Sequence, residues 1–251
     1  MFSTPFTVTL TVETVTDSTA SSPDYSLVSM KMNTRILAGL FLVTLGCCGF
    51  GCRSQDAEHL FEQGKNAVEQ ADYDIAIDRF SEVIRLDPDR VDAYYRRGIV
   101  YGNQGQLDQA IADFSEAIRL QPEYVDALVN RGIAYGRKVH LDKAITDFSE
   151  VIRLKPDHKK LAVAYSSRGV AYGNRNQQDK AIADFNEAIR IRPDFAKAYY
   201  QRATAYVEKG MDEPNASQSY FEKADTDYQR AHQINPVFPA DIKKAEEALR
   251  P

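Results

Sequence analysis

The chain has 251 residues, of which 43% are hydrophobic and 27% are charged, a composition typical of folded globular proteins. This composition excludes collagen, low-complexity chains and wholly disordered chains. The formal net charge is -5, and no segment concentrates basic residues. Both observations argue against nucleic acid as a partner.

The first segment, residues 1–29, alternates apolar residues with Thr, as between Phe6 and Val12. One strand without a partner strand is not stable in water. A well-formed export signal begins only at Met30 or Met32. We therefore predict that residues 1–29 are an over-extended start or a disordered tail, and we assign them no function.

Residues 30–52 have the form of an export signal or membrane segment. Lys31 and Arg35 precede an apolar run at residues 36–45, and small residues follow it. The run is shorter than the roughly 20 residues that a bilayer-spanning helix needs. A cleaved signal is therefore favoured over an uncleaved membrane anchor, which stays open as the alternative.

The end of this segment resembles the lipobox of bacterial lipoproteins, on the residues Thr44-Leu45-Gly46-Cys47. In that family a small residue precedes a cysteine that becomes lipid-modified and is then the first mature residue. Thr44 departs from the pattern, because the family prefers Leu at that position. The resemblance implies lipidation at Cys47, with Cys52 as the alternative, and a protein body anchored on the outer side of the membrane.

Residues 53–238 repeat with a period of 34 residues. A glycine, an alanine, a phenylalanine and a proline recur in one register, with a three-residue insertion at 159–161. A fifth, divergent unit has Ala203 in place of the glycine, followed by an insertion between its halves. The positions that define the repeat include Gly64, Gly98, Gly132 and Gly169, then Ala110, Ala144 and Ala181, and finally Pro88, Pro122, Pro156 and Pro193.

These positions resemble the pattern of the tetratricopeptide repeat (TPR), a helix-turn-helix unit of the same length. The resemblance implies an all-α fold, a right-handed solenoid of helical hairpins with five units at 57–90, 91–124, 125–158, 162–195 and 196–238. The helical spacing of residues such as Ile111, Phe114 and Ile118 independently predicts helices in this region and excludes a sheet. We predict that the small residues meet where the two helices of a unit cross, beside the phenylalanine, and that each proline ends a second helix.

Two further elements complete the predicted array. Residues 239–251 carry apolar residues on one helical face and are predicted to form a helix that caps the last repeat. In the fifth unit, the run from Ser219 to Glu222 has the spacing of a capping box. This spacing predicts a helix that starts at Ser219, preceded by a loop at residues 211–218.

Charged residues also keep the register of the repeat. In units two to five an Arg precedes the repeated glycine or alanine, and an Asp precedes the aromatic residue of the second helix; unit one has Gln63 and Arg79 instead. We predict that each Arg pairs with the Asp of its own unit, because a planar guanidinium suits a carboxylate. The alternative is a charged strip that contacts a partner. The pairs are Arg97 and Asp113, Arg131 and Asp147, Arg168 and Asp184, and Arg202 and Asp227.

The sequence contains no pattern that indicates catalysis. Its four histidines lie in different units, no Cys or carboxylate cluster has metal-ligand spacing, and no nucleophile or phosphate-loop motif occurs. We therefore expect no enzyme, no catalytic residue, no cofactor and no metal.

The resemblance to TPR proteins implies that the first helices line a concave surface that binds a peptide or helix of a protein partner. The alternative is that the same residues only pack neighbouring first helices together. The groove positions of the family fall on Tyr95, Ile99, Val129, Asn130, Ile133, Ser166, Val170, Tyr200 and Thr204.

Together these patterns predict a non-catalytic scaffold or adaptor in the cell envelope, anchored to the membrane, with a protein or peptide partner. Three alternatives stay open. One is an envelope module that binds a glycan or small ligand by stacking it on Tyr95 and Tyr200. The others are a cytoplasmic TPR adaptor and a self-associating array, so the oligomeric state is not predicted.

Overall fold

The computed structural model describes residues 55–243. The predicted tail, the export signal with Cys47 and Cys52, and residues 244–251 of the predicted capping helix lie outside these residues. Within them every regular element is helical, which confirms the all-α prediction. The helices are α1 (55–69), α2 (Tyr73–Leu86), α3 (Val91–Asn103), α4 (Leu107–Leu120), α5 (Val125–Arg137), α6 (Leu141–Leu154), α7 (His158–Gly173), α8 (Gln178–Ile191), α9 (Ala196–Asp212) and α10 (Ser217–Ile234).

The helices pack in sequential pairs, and each pair is one predicted unit. Helix α3 packs on α4, α5 on α6, α7 on α8 and α9 on α10. First helices of successive units also contact one another, from α3 to α5, α5 to α7 and α7 to α9, and the second helices make fewer such contacts. Because the first helices lie closer together, they form the inner side of the array. We call α3, α5, α7 and α9 the inner row.

The repeated glycine lies directly against the repeated phenylalanine of the same unit. A Cβ atom added at Gly132 would lie 2.9 Å from two ring atoms of Phe148, and that ring is buried. The same contact joins Gly64 to Phe80, Gly98 to Phe114 and Gly169 to Phe185. The glycine therefore lies beside the phenylalanine, as predicted. The glycine admits an aromatic ring of the second helix, and the repeated alanines, Ala110, Ala144 and Ala181, are fully buried.

The repeated prolines end the second helices, as predicted. Helices α2, α4, α6 and α8 each end two residues before Pro88, Pro122, Pro156 and Pro193, respectively. Proline lacks an N–H group and restricts the residue before it, so a helix cannot continue through this position. The inserted residues 159–161 lengthen α7 at its amino end, where the Asp157 side chain accepts hydrogen bonds from the backbone N–H groups of Lys159 and Lys160.

The insertion in the fifth unit lengthens both helices, and the predicted loop at 211–218 was wrong. Helix α9 continues to Asp212, and α10 begins at Ser217 rather than at Ser219. The physical reason is a contact between a glycine and a phenylalanine that the other units lack. A Cβ atom at Gly210 would lie 2.8 Å from the Phe221 ring. This contact packs the added turns of α9 and α10 against each other and leaves only residues 213–216 between them.

No helix within residues 55–243 combines the length and the apolar composition that crossing a bilayer requires.

Candidate functional site

The predicted pairs of Arg and Asp are present in units two to five. In unit three, Nε and Nη2 of Arg131 donate hydrogen bonds of 2.9 and 2.7 Å to the two carboxylate oxygens of Asp147. The same bidentate geometry joins Arg97 to Asp113, Arg168 to Asp184 and Arg202 to Asp227. All four aspartates are buried. The pKa of Arg131 is raised above its ordinary value, mainly by the hydrogen bonds to Asp147.

Each of these arginines has a second partner residue, which was not predicted from the sequence. Nη1 of Arg131 donates to Oγ of Ser115, on the second helix of the preceding unit, at 3.1 Å. Arg97 reaches Ser81, Arg168 reaches Ser149 and Arg202 reaches Asn186 in the same way. The signal was present, because Ser81, Ser115 and Ser149 recur in the register of the repeat. Each arginine therefore joins three helices and links one unit to the next.

A second row of polar contacts links successive units at the surface. The Asp in the first turn of a second helix contacts a residue near the end of the following first helix. The pairs, which link each unit to the next from unit one to unit five, are Asp74 with Gln104, Asp108 with Lys138, Asp142 with Arg175 and Asp179 with Lys209. The aspartates are exposed, so these contacts are screened by solvent and contribute less than the buried pairs.

The apolar residues predicted for the groove lie on the inner row with different degrees of burial. Ile133 on α5 is the most exposed of them, with 42% of its surface accessible to solvent. Ile99 is partly buried. Val129 packs against the core cluster that contains Leu128, and Val170 packs against the one that contains Phe185. The centre of the inner row therefore presents one exposed isoleucine between two partly buried apolar neighbours.

The predicted polar residues of the groove join neighbouring inner helices. Nδ2 of Asn130 donates to the Tyr95 hydroxyl at 3.1 Å, which links α5 to α3. The buried Ser166 hydroxyl donates to Oε1 of Gln201 at 2.6 Å, which links α7 to α9. For these residues the structure shows the packing role that was the alternative to partner binding.

The two tyrosines considered for sugar stacking already contact aromatic rings of their own units. The Tyr95 ring centroid lies 4.9 Å from that of Tyr124 and 6.0 Å from that of Phe114. The Tyr200 ring centroid lies 5.5 Å from that of Tyr228 and 5.1 Å from that of Phe238. The predicted groove residue Thr204 donates a hydrogen bond to the Tyr200 carbonyl oxygen. Burial, followed by the charge of Asp126, raises the pKa of Tyr95. These neighbours leave less of each ring free to stack on a sugar.

Among residues 55–243, no group of His, Cys, Asp and Glu side chains is arranged to hold a metal ion.

Models of known families match several parts of the chain. A family model described as tetratricopeptide repeat matches residues 91–124 and a second with the same description matches residues 125–158, which are units two and three. A model described as TPR repeat matches residues 60–105 and 169–210. These matches extend over more than half of the chain. The chain belongs to the tetratricopeptide-repeat family. TPR proteins bind protein or peptide partners and are generally non-catalytic scaffolds.

Solved structures with the same fold include MamA and YrrB. The crystal structure of MamA protein matches 72% of this TPR chain and 97% of its own, with a TM-score of 0.62 and 25% identity. MamA 41-end from Desulfovibrio magneticus RS-1 matches 67% and 93%, with a TM-score of 0.60 and 21% identity. YrrB, described as a TPR protein with an unusual peptide-binding site, matches 78% and 92%, with a TM-score of 0.60 and 21% identity. No curated protein matches the sequence.

Proposed function

We propose that the protein is a non-catalytic scaffold whose inner row binds a peptide or helix of a protein partner. The observation that carries this proposal is the exposure of Ile133 at the centre of the inner row. An isoleucine exposed to this extent can bury more apolar surface when a partner covers it. TPR solenoids offer an extended surface on this side, and YrrB, which shares the fold, has a peptide-binding site.

The chemistry of the inner row favours an apolar segment as the ligand. Ile99 and Val170, on either side of Ile133, are partly buried and extend the apolar surface along α3 and α7. Arg96 and Ser167 lie beside them in the register of the repeat and offer hydrogen-bond donors. An apolar side chain of the partner would contact Ile133, and main-chain carbonyl groups of the partner would accept from these donors.

The substitution Ile133→Asp is expected to weaken peptide binding at least about tenfold, because a charge would be buried without a partner at the interface. A peptide is first selected on the wild-type protein from a random library and then titrated by calorimetry. Ile75→Asp is the matched control, because Ile75 is 50% exposed but lies on the second helix α2. This control is expected to bind like the wild type, and both variants are expected to keep the wild-type melting temperature.

If the wild type and Ile133→Asp bind the selected peptide with equal affinity, the inner row is not the binding surface. Equal weakening by both substitutions would show an unspecific effect of the added charge.

We also propose that the protein is anchored in the cell envelope through a lipid on Cys47, with Cys52 as the alternative site. The support is the lipobox-like sequence that follows the apolar run. Two acyl chains on one cysteine bind a membrane stably, whereas a single chain does not. This anchor would place the TPR units outside the cytoplasm.

Mass spectrometry of the mature amino terminus tests the anchor. A membrane-bound protein whose first residue is a diacylated Cys47 or Cys52 is the expected result. An unmodified terminus at Met1 or Met30 in the soluble fraction would overturn the proposal and favour the cytoplasmic TPR adaptor.

A further inference from the structure

In units two to five, which carry the buried pair of Arg and Asp, the fourth residue shows one exception to its pattern. It is a tyrosine in units two, four and five, namely Tyr94, Tyr165 and Tyr199, but it is Leu128 in unit three. Unit one, which lacks the pair, has Leu60 at this position. This position lies three residues before the arginine of the buried pair. The exception is therefore located next to the bridge that links unit three to unit two.

The three tyrosines occupy equivalent places beside that arginine. The guanidinium carbon of Arg97 lies 5.9 Å from the centre of the Tyr94 ring, and the corresponding distances are 5.6 Å for Arg168 with Tyr165 and for Arg202 with Tyr199. At this range a guanidinium is attracted to the face of an aromatic ring. Tyr94 also lies close to the charges of Glu116 and Arg119, and burial followed by Glu116 raises its pKa.

In unit three the same charged residues border an open groove. Arg131, Glu150 and Arg153 occupy the positions that Arg97, Glu116 and Arg119 occupy around Tyr94. Ile118, Leu128 and Ile145 give the groove an apolar lining. Its volume is about 670 Å³, within the range of ligand pockets. Leu128 lines this groove and is only 3% exposed.

We propose that this groove between α4 and α6 binds the phenol ring of a tyrosine side chain from a partner protein. The ring would take the place that the chain's own tyrosine takes in units two, four and five. Its apolar edge would contact Ile118 and Leu128, its face would lie near the Arg131 guanidinium, and its hydroxyl would lie near Glu150. The groove is bordered by α4, α6 and the part of α5 that carries Leu128 and Arg131. Ile133 does not line it, so it is a site additional to the surface around Ile133.

The probe for this site is N-acetyl-L-tyrosinamide, titrated into the ¹⁵N-labelled protein and followed by amide chemical shifts. Saturable shifts at Leu128 and Ser149 are expected for the wild type. The substitution Leu128→Tyr introduces the residue of units two, four and five and is expected to abolish these shifts. Tyr165→Leu is the converse variant, and it is expected to add a second set of saturable shifts around Arg168 in unit four.

Two further variants keep the test decisive. Thr146→Trp places a large ring on the exposed rim of the groove and is expected to abolish the shifts even if Leu128→Tyr does not fold. Ile133→Asp lies on the inner row and is expected to leave the shifts unchanged, so failure of the peptide proposal does not affect this test. Absence of saturable shifts in the wild type, or their persistence in Leu128→Tyr or Thr146→Trp, would overturn the phenol site.

Discussion

The substitution Asp147→Asn is expected to lower the free energy of unfolding by about 3 kcal/mol, because it leaves the charge of Arg131 without its buried partner. The Asp147 side chain is 5% exposed and that of Arg131 is 19% exposed, so water replaces the lost contact poorly. Denaturant unfolding followed by circular dichroism measures the effect, and the slope with denaturant shows whether the array still unfolds as one unit.

Asp142 provides a matched control in the same helix. It also contacts an arginine, Arg175, but its side chain is 80% exposed. Exposed ion pairs contribute between zero and about 1 kcal/mol, so Asp142→Asn is expected to change the stability by less than that amount. If the two substitutions have equal effects, burial does not determine the strength of these pairs, and the structural role assigned to the row of arginines is wrong.

The effect of Asp147→Asn is expected to extend beyond its own unit. Arg131 also donates to Ser115 on α4, so loss of the carboxylate loosens the side chain that connects units two and three. In a repeat array the stability depends on the interfaces between neighbouring units as well as on the units themselves. A lower slope with denaturant in this variant would indicate that the two ends of the array unfold separately.

The repeated features could be predicted from the sequence because each residue serves the same contact in every unit. The arginines and their aspartates recur together and are missing together from unit one, and this joint pattern predicts the pairing. The serine partners recur in the same register and could have been found by the same comparison. Proline positions predicted the ends of the second helices because the backbone chemistry of proline acts locally.

Features that depend on the three-dimensional surroundings could not be predicted in the same way. Ile99 and Ile133 occupy equivalent positions, but only Ile133 is widely exposed. The contact of Tyr200 with Phe238 depends on the chain that follows α10, which the repeat pattern does not describe. The loop of the fifth unit was misplaced because its insertion has no counterpart in the other units. No repeated position marked the start of α10, so the prediction rested on the capping pattern at Ser219 alone.

The contact between Gly132 and Phe148 gives the second large expected effect. A Cβ atom at Gly132 would lie 2.9 Å from two atoms of a ring that is only 2% exposed. The substitution Gly132→Ala therefore forces the ring or the helix to shift, at a cost of about 1 to 3 kcal/mol for overpacking. The better helix propensity of alanine offsets up to about 1 kcal/mol of this cost. We expect a net loss of stability in denaturant unfolding.

Gly136 is the matched control, one turn later in the same helix. A Cβ atom there would meet nothing within 4 Å outside its own helix backbone. Gly136→Ala is therefore expected to raise the free energy of unfolding by about 0.5 kcal/mol, because alanine restricts the unfolded chain and favours the helix. Opposite signs for one substitution at two sites of α5 would separate the contact with Phe148 from helix propensity. A gain of stability in both variants would mean that the ring can move aside and that the repeated glycine is not required for packing.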